Sequence, residues 1–283
     1  PALPPWFAPV WRVHIPSGRG IEDLKKAMTR ALAKPEEPKL LEGLVKKGSL
    51  VLLVTPMDLG APQGRLILPQ VRVLREILDR QAMALVCQPQ SLQESLDFLG
   101  KPADLAIVDS QILADIATEI PQEIALTSFS LVFAAAKGEI SQFVEGLRVL
   151  DGLKPGDSVL VVEACSHHPS SDDIARIKIP RLLQEKIGSL NIQVHTQGPG
   201  NTGLGPNPQQ TWDLILHCGG CMLTRSQMVQ RLKDAKNLKV PMANCGLFFA
   251  WAAGSSVLER MLRPWQKVAG VNGSAYVHTL FHP

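Results

Sequence analysis

From Ser49 onward the chain alternates short apolar runs with amphipathic stretches, and this alternation restricts the fold more than any other feature. Leu50-Val51-Leu52-Leu53-Val54 has no polar break, the pattern of a strand covered on both faces. Leu68 to Gln81 follows with Val71, Leu74, Ile77 and Leu78 on one side of a helix. Ala82 to Cys87 reads as a second strand, Leu92 to Leu99 as a second helix and Asp104 to Val108 as a third strand. Helical Ile112 to Ile120, an apolar run near Ile124 to Phe129 and a helix from about Glu139 to Asp151 complete this unit.

Leu153-Lys154-Pro155-Gly156-Asp157 is a turn that opens a second unit of the same kind. Its expected strands are Ser158 to Val162, Ile192 to His195, Trp212 to Leu216 and Lys239 to Ala243, with helices at about Asp172 to Lys186, Arg225 to Asn237 and Gly246 to Leu262. The expected fold class is α/β: two consecutive units, each a mainly parallel sheet flanked by helices. The boundary falls near residue 152, so the expected segments are 39–151 and 152–283.

Residues 1–38 read differently. Trp11 to Ile15 resembles a short strand, and Gly20 to Met28 a helix with Ile21, Leu24, Ala27 and Met28 on one face. This strand, turn and helix is similar to the closing element of a small P-loop GTPase domain. No Gly-x-x-x-x-Gly-Lys-Ser/Thr loop occurs in the sequence, so GTP is not expected on this chain. Pro35-Glu36-Glu37-Pro38 reads as a linker.

With 283 residues, the chain is long enough for more than one core. A formal net charge of +3, with no long Lys/Arg cluster, argues against nucleic acid or a membrane surface as partner. No apolar run approaches the roughly 20 residues of a membrane span, and the start lacks the pattern of a signal peptide. A cytoplasmic protein is the expectation. Its five cysteines, Cys87, Cys165, Cys218, Cys221 and Cys245, form an odd set that favours metal or redox chemistry over a disulfide framework.

Two groups of metal-ligand side chains close apolar runs. Cys165-Ser166-His167 follows Ser158 to Val162, and forty-nine residues later His217-Cys218-Gly219-Gly220-Cys221 closes Trp212 to Leu216. In open parallel sheets, sites collect at the carboxyl ends of strands, so two neighbouring strands are expected to deliver these ligands to one point. Thiolates suit zinc and iron-sulfur clusters, and a two-residue gap lets both sulfurs of a Cys-x-x-Cys reach one centre. His167 or His217 is a candidate fourth ligand. Both a structural zinc site and an iron-sulfur cluster fit such donors. Three cysteines and one histidine would leave one iron open to exchange.

Other readings explain less. A thiol nucleophile at Cys165, activated by His167 or His168, leaves the second group without a role. Gly198-Pro199-Gly200-Asn201-Thr202-Gly203 satisfies a dinucleotide pattern, but Pro206 and Pro208 follow where a helix must begin. Cys87 reads as core. Cys245 follows a strand and, with Glu163, is a candidate neighbour of the ligands. Asp172 and Asp173 are placed to cap a helix, and Arg176, Lys178 and Arg181 read as its solvated face.

The Cys-x-His, forty-nine residues and His-Cys-x-x-Cys together resemble the HydF family of FeFe-hydrogenase maturation proteins. Supporting stretches are Val54-Thr55-Pro56-Met57-Asp58-Leu59-Gly60, His167-His168-Pro169 with Asp172-Asp173-Ile174, and Cys221-Met222-Leu223-Thr224-Arg225. The resemblance covers about 49 to 265. It implies a dimerisation domain over 39–151 and, over 152–283, a domain that holds a 4Fe-4S cluster through Cys165, Cys218 and Cys221. It further implies a non-enzymatic scaffold or carrier that forms a homodimer, receives the two-iron precursor of the hydrogenase active site, works with two radical-SAM maturases and serves the apo-hydrogenase. The resemblance leads to an expected Asn-Tyr-Gly where this chain has Asn244-Cys245-Gly246, a departure that leaves Cys245 open as an added ligand.

Overall fold

The computed structural model describes residues 11–31, 38–57, 66–164, 173–196, 204 and 211–269. They fall into two compact units, Pro1–Glu37 and Pro38–Pro283. In the first, helix α1 (Ile21–Ala31) has Glu22 and Asp23 in its first turn, where carboxylates oppose the helix dipole favourably. The strand expected over Trp11 to Ile15 is reduced to one antiparallel bridge between His14 and Arg19. Ile15–Ser17 forms a 3-10 turn instead, and Pro16 has no N–H to give a ladder.

The second unit contains two four-stranded sheets, each wholly parallel. The first is built from β1 (Leu50–Val54), β2 (Met83–Cys87), β3 (Leu105–Val108) and β4 (Ala125–Ser128), in the order β2-β1-β3-β4. The second is built from β5 (Ser158–Glu163), β6 (Asn191–Thr196), β7 (Leu214–His217) and β8 (Met242–Asn244), in the order β6-β5-β7-β8. Counted from their own first strands the two orders are identical. In each, the chain crosses from one side of the first strand to the other, which makes the carboxyl ends of β1/β3 and of β5/β7 the crevices of their sheets. Central β1, β3 and β7 are buried along their length, while edge strands β2 and β6 are partly exposed. Burial on both faces is why β1 and β3 are apolar without a break, while the edge strand β6 alternates polar and apolar residues.

The connecting helices start where local chemistry allows. Helix α2 (Leu68–Asp79) has Pro69 in its first turn, and Gln70 Oε1 accepts the Ile67 N–H at 3.1 Å. Helices α3 (Leu92–Phe98) and α4 (Leu113–Ile116) are short. The helix expected over Ile112 to Ile120 stops after four residues, ahead of Pro121. Helix α5 (Phe129–Lys137), which the sequence pattern does not reveal, begins directly after β4 with Ser128 Oγ accepting the Leu131 N–H. It is apolar nearly all round because it is enclosed on all sides. Helix α6 (Ile140–Leu147) lies against β8, where a Cβ on Gly146 would come within 2.2 Å of the Met242 carbonyl oxygen.

In the second half Asp173 caps a π-helical turn over Ile174–Lys178, its side chain accepting the Arg176 N–H, and α7 (Ile179–Lys186) continues from it. Helix α8 (Arg225–Leu238) carries a reciprocal cap: Thr224 Oγ1 accepts the Gln227 N–H, and Gln227 Oε1 accepts the Thr224 N–H. The single helix expected from Gly246 is two, α9 (Cys245–Ala253) and α10 (Ser255–Ala269), separated at Gly254 with φ of 115°. Glycine, having no Cβ, takes this positive φ without steric cost.

The last two helices return to the first sheet. Helix α10 packs along β4, and its Trp265 Nε1 donates to Thr127 Oγ1 at 3.2 Å. Arg260, fully enclosed, donates to the carbonyls of Ala117, Ile120, Pro121 and Ile124 after α4. Helix α9 packs against α4, α5 and α6. The second half of the chain thereby closes the core of the first.

Candidate metal centre

With α9 wedged between the halves, the carboxyl ends of both sheets line one cavity of about 240 Å³. The first sheet contributes Asp109 and Ser110 after β3 and Phe129 and Ser130 after β4; the second contributes Glu163 of β5, Cys218 to Cys221 after β7 and Cys245 after β8.

The Cys-x-x-Cys segment sits at the crevice of the second sheet. Val162 of β5 pairs with His217 of β7, and the Cys218 N–H donates to the Val162 carbonyl at 3.0 Å. Cys218 Sγ accepts the N–H of Ala164 at 3.2 Å and that of Gly220 at 3.4 Å. Gly220 turns the segment with φ of 62°, a conformation open to glycine at no steric cost. Gly219 lies so near α5 that a Cβ there would come within 2.8 Å of the Ser130 Cα and carbonyl oxygen.

Three side chains hold this segment in place. Lys137, 1% exposed at the end of α5, donates from Nζ to the carbonyls of Gly220 at 2.6 Å and Cys221 at 2.9 Å. Its ammonium also lies 5.0 Å from the centre of the Phe133 ring. His217 is fully buried, with Nδ1 2.6 Å from the Cys218 carbonyl and Nε2 2.7 Å from Nη1 of buried Arg231. A guanidinium only donates, so Nε2 accepts and Nδ1 carries the proton given to the Cys218 carbonyl. Both ring nitrogens of His217 are thus engaged. Burial lowers the Arg231 pKa, opposed by the negative sulfur of Cys218.

Glu163 closes β5 on the cavity wall. Its Oε2 accepts from Arg176 Nη1 and Thr196 Oγ1, each at 3.1 Å. Burial first, and the Asp173 carboxylate second, push its pKa up, with Arg176 and Thr196 acting against them. Arg176, exposed as expected, pairs with Asp173 as well, at 2.8 Å, and so bridges the two acids. Burial pushes the Cys245 thiol well above its ordinary value, and the charges of Cys218 and Glu163 add to the shift. Cys245 is therefore a neutral thiol on the wall. Cys87 closes β2, half-buried in the other sheet.

Of the residues singled out in the sequence, Cys218, Cys221, Cys245 and Glu163 share the cavity. Cys165, His167, His168, Asp172 and the Gly198 to Gly203 run lie outside the described residues. Among the described residues no group of three or more His, Cys, Asp and Glu is arranged to hold a metal ion. Sequence reasoning missed Lys137, Arg231, Ser110 and Ser130. None belongs to a ligand motif, and each reaches the site through packing between distant elements.

The comparisons with known proteins agree with this architecture. Residues 40–138 match the Hydrogen maturase F dimerization domain and residues 141–264 the Hydrogen maturase F tetramerization domain. No curated protein matches. Among solved structures, a 5,10-methylenetetrahydrofolate dehydrogenase from the silkworm Bombyx mori aligns over 88% of this chain and 96% of its own, at 11% identity and a TM-score of 0.23, a likeness too loose to carry an argument. Among the described residues no helix is long and apolar enough to cross a membrane. Two adjoining domain matches to one family, spanning most of a chain folded as two parallel α/β sheets, show that it belongs to the hydrogen maturase F (HydF) family, with oligomerization domains and a role in hydrogenase maturation.

Proposed function

We propose that the chain is a non-enzymatic scaffold and carrier in which Cys165, Cys218 and Cys221 hold a 4Fe-4S cluster, with the two-iron precursor of the FeFe-hydrogenase active site as its cargo. The observation that carries this reading is the 3.2 Å contact from the Ala164 N–H to Cys218 Sγ. Cys165 is the next residue, and one peptide step moves a Cα by only about 3.8 Å. The donor set fits the group: soft sulfurs, N–H groups directed at one of them, and a glycine turn that brings Cys221 round.

When bound, such a cluster supplies an iron whose fourth position exchanges ligands. The protein's own part is to orient and enclose. Lys137 fixes the carbonyls of the Cys218 to Cys221 segment, His217 fixes that of Cys218, and Arg231 fixes the His217 tautomer. With both nitrogens so used, His217 acts on the segment, and the fourth position falls to His167 or another exchangeable group. Glu163 and Cys245 stand beside the sulfurs. In this division of labour residues 39–151 dimerise and 152–283 bind the cluster. The partners are a second copy, the apo-hydrogenase and two radical-SAM maturases, in the cytoplasm. GTP hydrolysis is not assigned to this chain.

The test is anaerobic reconstitution with iron and sulfide, then electron paramagnetic resonance of the reduced protein. The parent is expected to show a cluster signal, and Cys165→Ser, Cys218→Ser and Cys221→Ser to lose or reshape it. An unchanged signal in Cys165→Ser, or stoichiometric zinc with no iron uptake in protein purified without oxygen, would overturn the reading. The zinc result would make the site a structural element of protein association. A monomeric mass at micromolar concentration would remove the dimer.

A further inference from the structure

Two buried cations flank the Cys218 to Cys221 segment, one from each half of the chain. Lys137, at the end of α5, reaches the carbonyl oxygens of Gly220 and Cys221 at 2.6 and 2.9 Å. The second of these carbonyls belongs to a cysteine of the motif itself. Arg231, in α8, is fully buried, and its Nη1 lies 2.7 Å from Nε2 of His217, the residue before Cys218. A positive charge therefore stands at each end of the motif.

Carbonyls and an imidazole do not require a full charge to satisfy them. A neutral amide or hydroxyl donates to the same atoms, whereas an ammonium or guanidinium taken out of water carries a penalty that nearby negative charge offsets best. The motif supplies such charge: a cysteine that holds a metal does so as thiolate, and the negative sulfur of Cys218 acts on Arg231. Charges buried at this depth are screened far less than those on the surface. Of the acids on the cavity wall, Glu163 and Asp173 share Arg176, which offsets part of their own charge.

We propose that Lys137 and Arg231 set the charge balance of the cysteine centre, their two buried positive charges favouring the electron-rich state of the iron-sulfur group and raising its reduction potential. The inference rests on the cluster reading and gives these side chains a role beyond bracing the segment. On reduction the centre takes up one electron, supplied in the assay by dithionite, and its net charge becomes more negative by one; no bond to the protein forms or breaks. Net charge and solvent exposure are among the terms that fix the potential of such groups. A cation at each end stabilises the added negative charge, so the centre is reduced more readily than the same sulfurs would allow in a neutral setting.

The test is a dithionite titration of the iron-reconstituted full chain under anaerobic conditions, with the midpoint potential read by electron paramagnetic resonance. Lys137→Met and Arg231→Gln, which remove one charge each, are expected to lower the one-electron reduction constant at least tenfold, a fall of about 59 mV. Lys137→Arg and Arg231→Lys keep the charge while changing the shape of the contact, and are expected to stay within about twofold of the parent. High salt is expected to leave the differences in place, as for buried charges. Equal potentials in the parent and both neutral variants, with the cluster signal intact, would overturn the charge role and leave the cluster reading standing. Shifts as large in the charge-keeping variants as in the neutral ones would overturn it too, because the potential would then follow shape. A parent chain that takes up no cluster would overturn both readings. Should Lys137→Met take up no cluster, Arg231→Gln against Arg231→Lys decides by the same comparison.

Discussion

Lys137→Met is the most informative single change outside the ligand set. The substitution keeps an unbranched stem of similar length and removes the ammonium that reaches two carbonyls of the cysteine segment, at 2.6 and 2.9 Å. A hydrogen bond to a charged group is worth about 1.5–3 kcal/mol net, so the two together set a ceiling of about 3–6 kcal/mol. Against this, Lys137 is 1% exposed, and an ammonium taken out of water carries a penalty of several kcal/mol that the variant no longer bears. Removing one side of a buried polar contact still leaves the carbonyls of Gly220 and Cys221 without that donor, and their desolvation is not recovered. The balance is a loss of about 2–4 kcal/mol, a large share of the roughly 5–15 kcal/mol that holds a typical domain folded. Urea unfolding of metal-free protein, followed by circular dichroism, measures it as a fall in midpoint with the slope unchanged. Lys137→Ala, which also empties the space of the stem, is expected to lose more. If Lys137→Met unfolds within about 0.5 kcal/mol of the parent, below the range expected for one charged hydrogen bond, Lys137 is not a clamp.

Two further changes probe the same architecture. Gly219→Ala places a methyl 2.8 Å from the Ser130 backbone, where no flexible side chain can yield; it is expected to cost about 1–3 kcal/mol and to weaken iron uptake during reconstitution. Equal uptake and stability would show that the segment has room. Asp151 accepts from Trp251 Nε1 at 2.9 Å, and burial pushes its carboxyl above the ordinary 3.8, with that hydrogen bond acting against it. The folded state therefore holds the proton more tightly than the unfolded one, so this group's contribution to stability falls as pH rises through the range just above 3.8. Asp151→Asn keeps the acceptor without the charge. Its stability relative to the parent is expected to rise across that range and then level off, and a difference independent of pH in parallel urea titrations would contradict the assignment.

Much of the scaffold can be read along the chain because it depends on neighbours in sequence. Unbroken runs such as Leu50 to Val54 and Val159 to Val162 name central parallel strands, since only a strand covered on both faces tolerates them. The Thr224 and Gln227 pair marks the start of α8, and the ligand motifs stand at strand ends, where parallel sheets gather their sites. Helix α5 escapes such reading because Phe129 to Ala136 is apolar nearly all round and has no periodic face to detect. The break at Gly254 escapes as well, because a helical glycine and a terminating one look alike in a sequence.

Contacts across the fold account for the rest. That β3 and β4 of one sheet and β5, β7 and β8 of the other present their carboxyl ends to one cavity follows from α10 crossing back to cover β4 and α9 packing against α4, α5 and α6, and no local pattern encodes the crossing. Lys137 lies more than eighty positions from the carbonyls it binds and Ser110 lies in the opposite half of the chain from the cysteines, at separations where composition and spacing carry no information. Soft ligands in a pattern announce that a metal is to be held; how their segment is braced, and what shares its cavity, is set by whichever distant side chains the packed core brings against it.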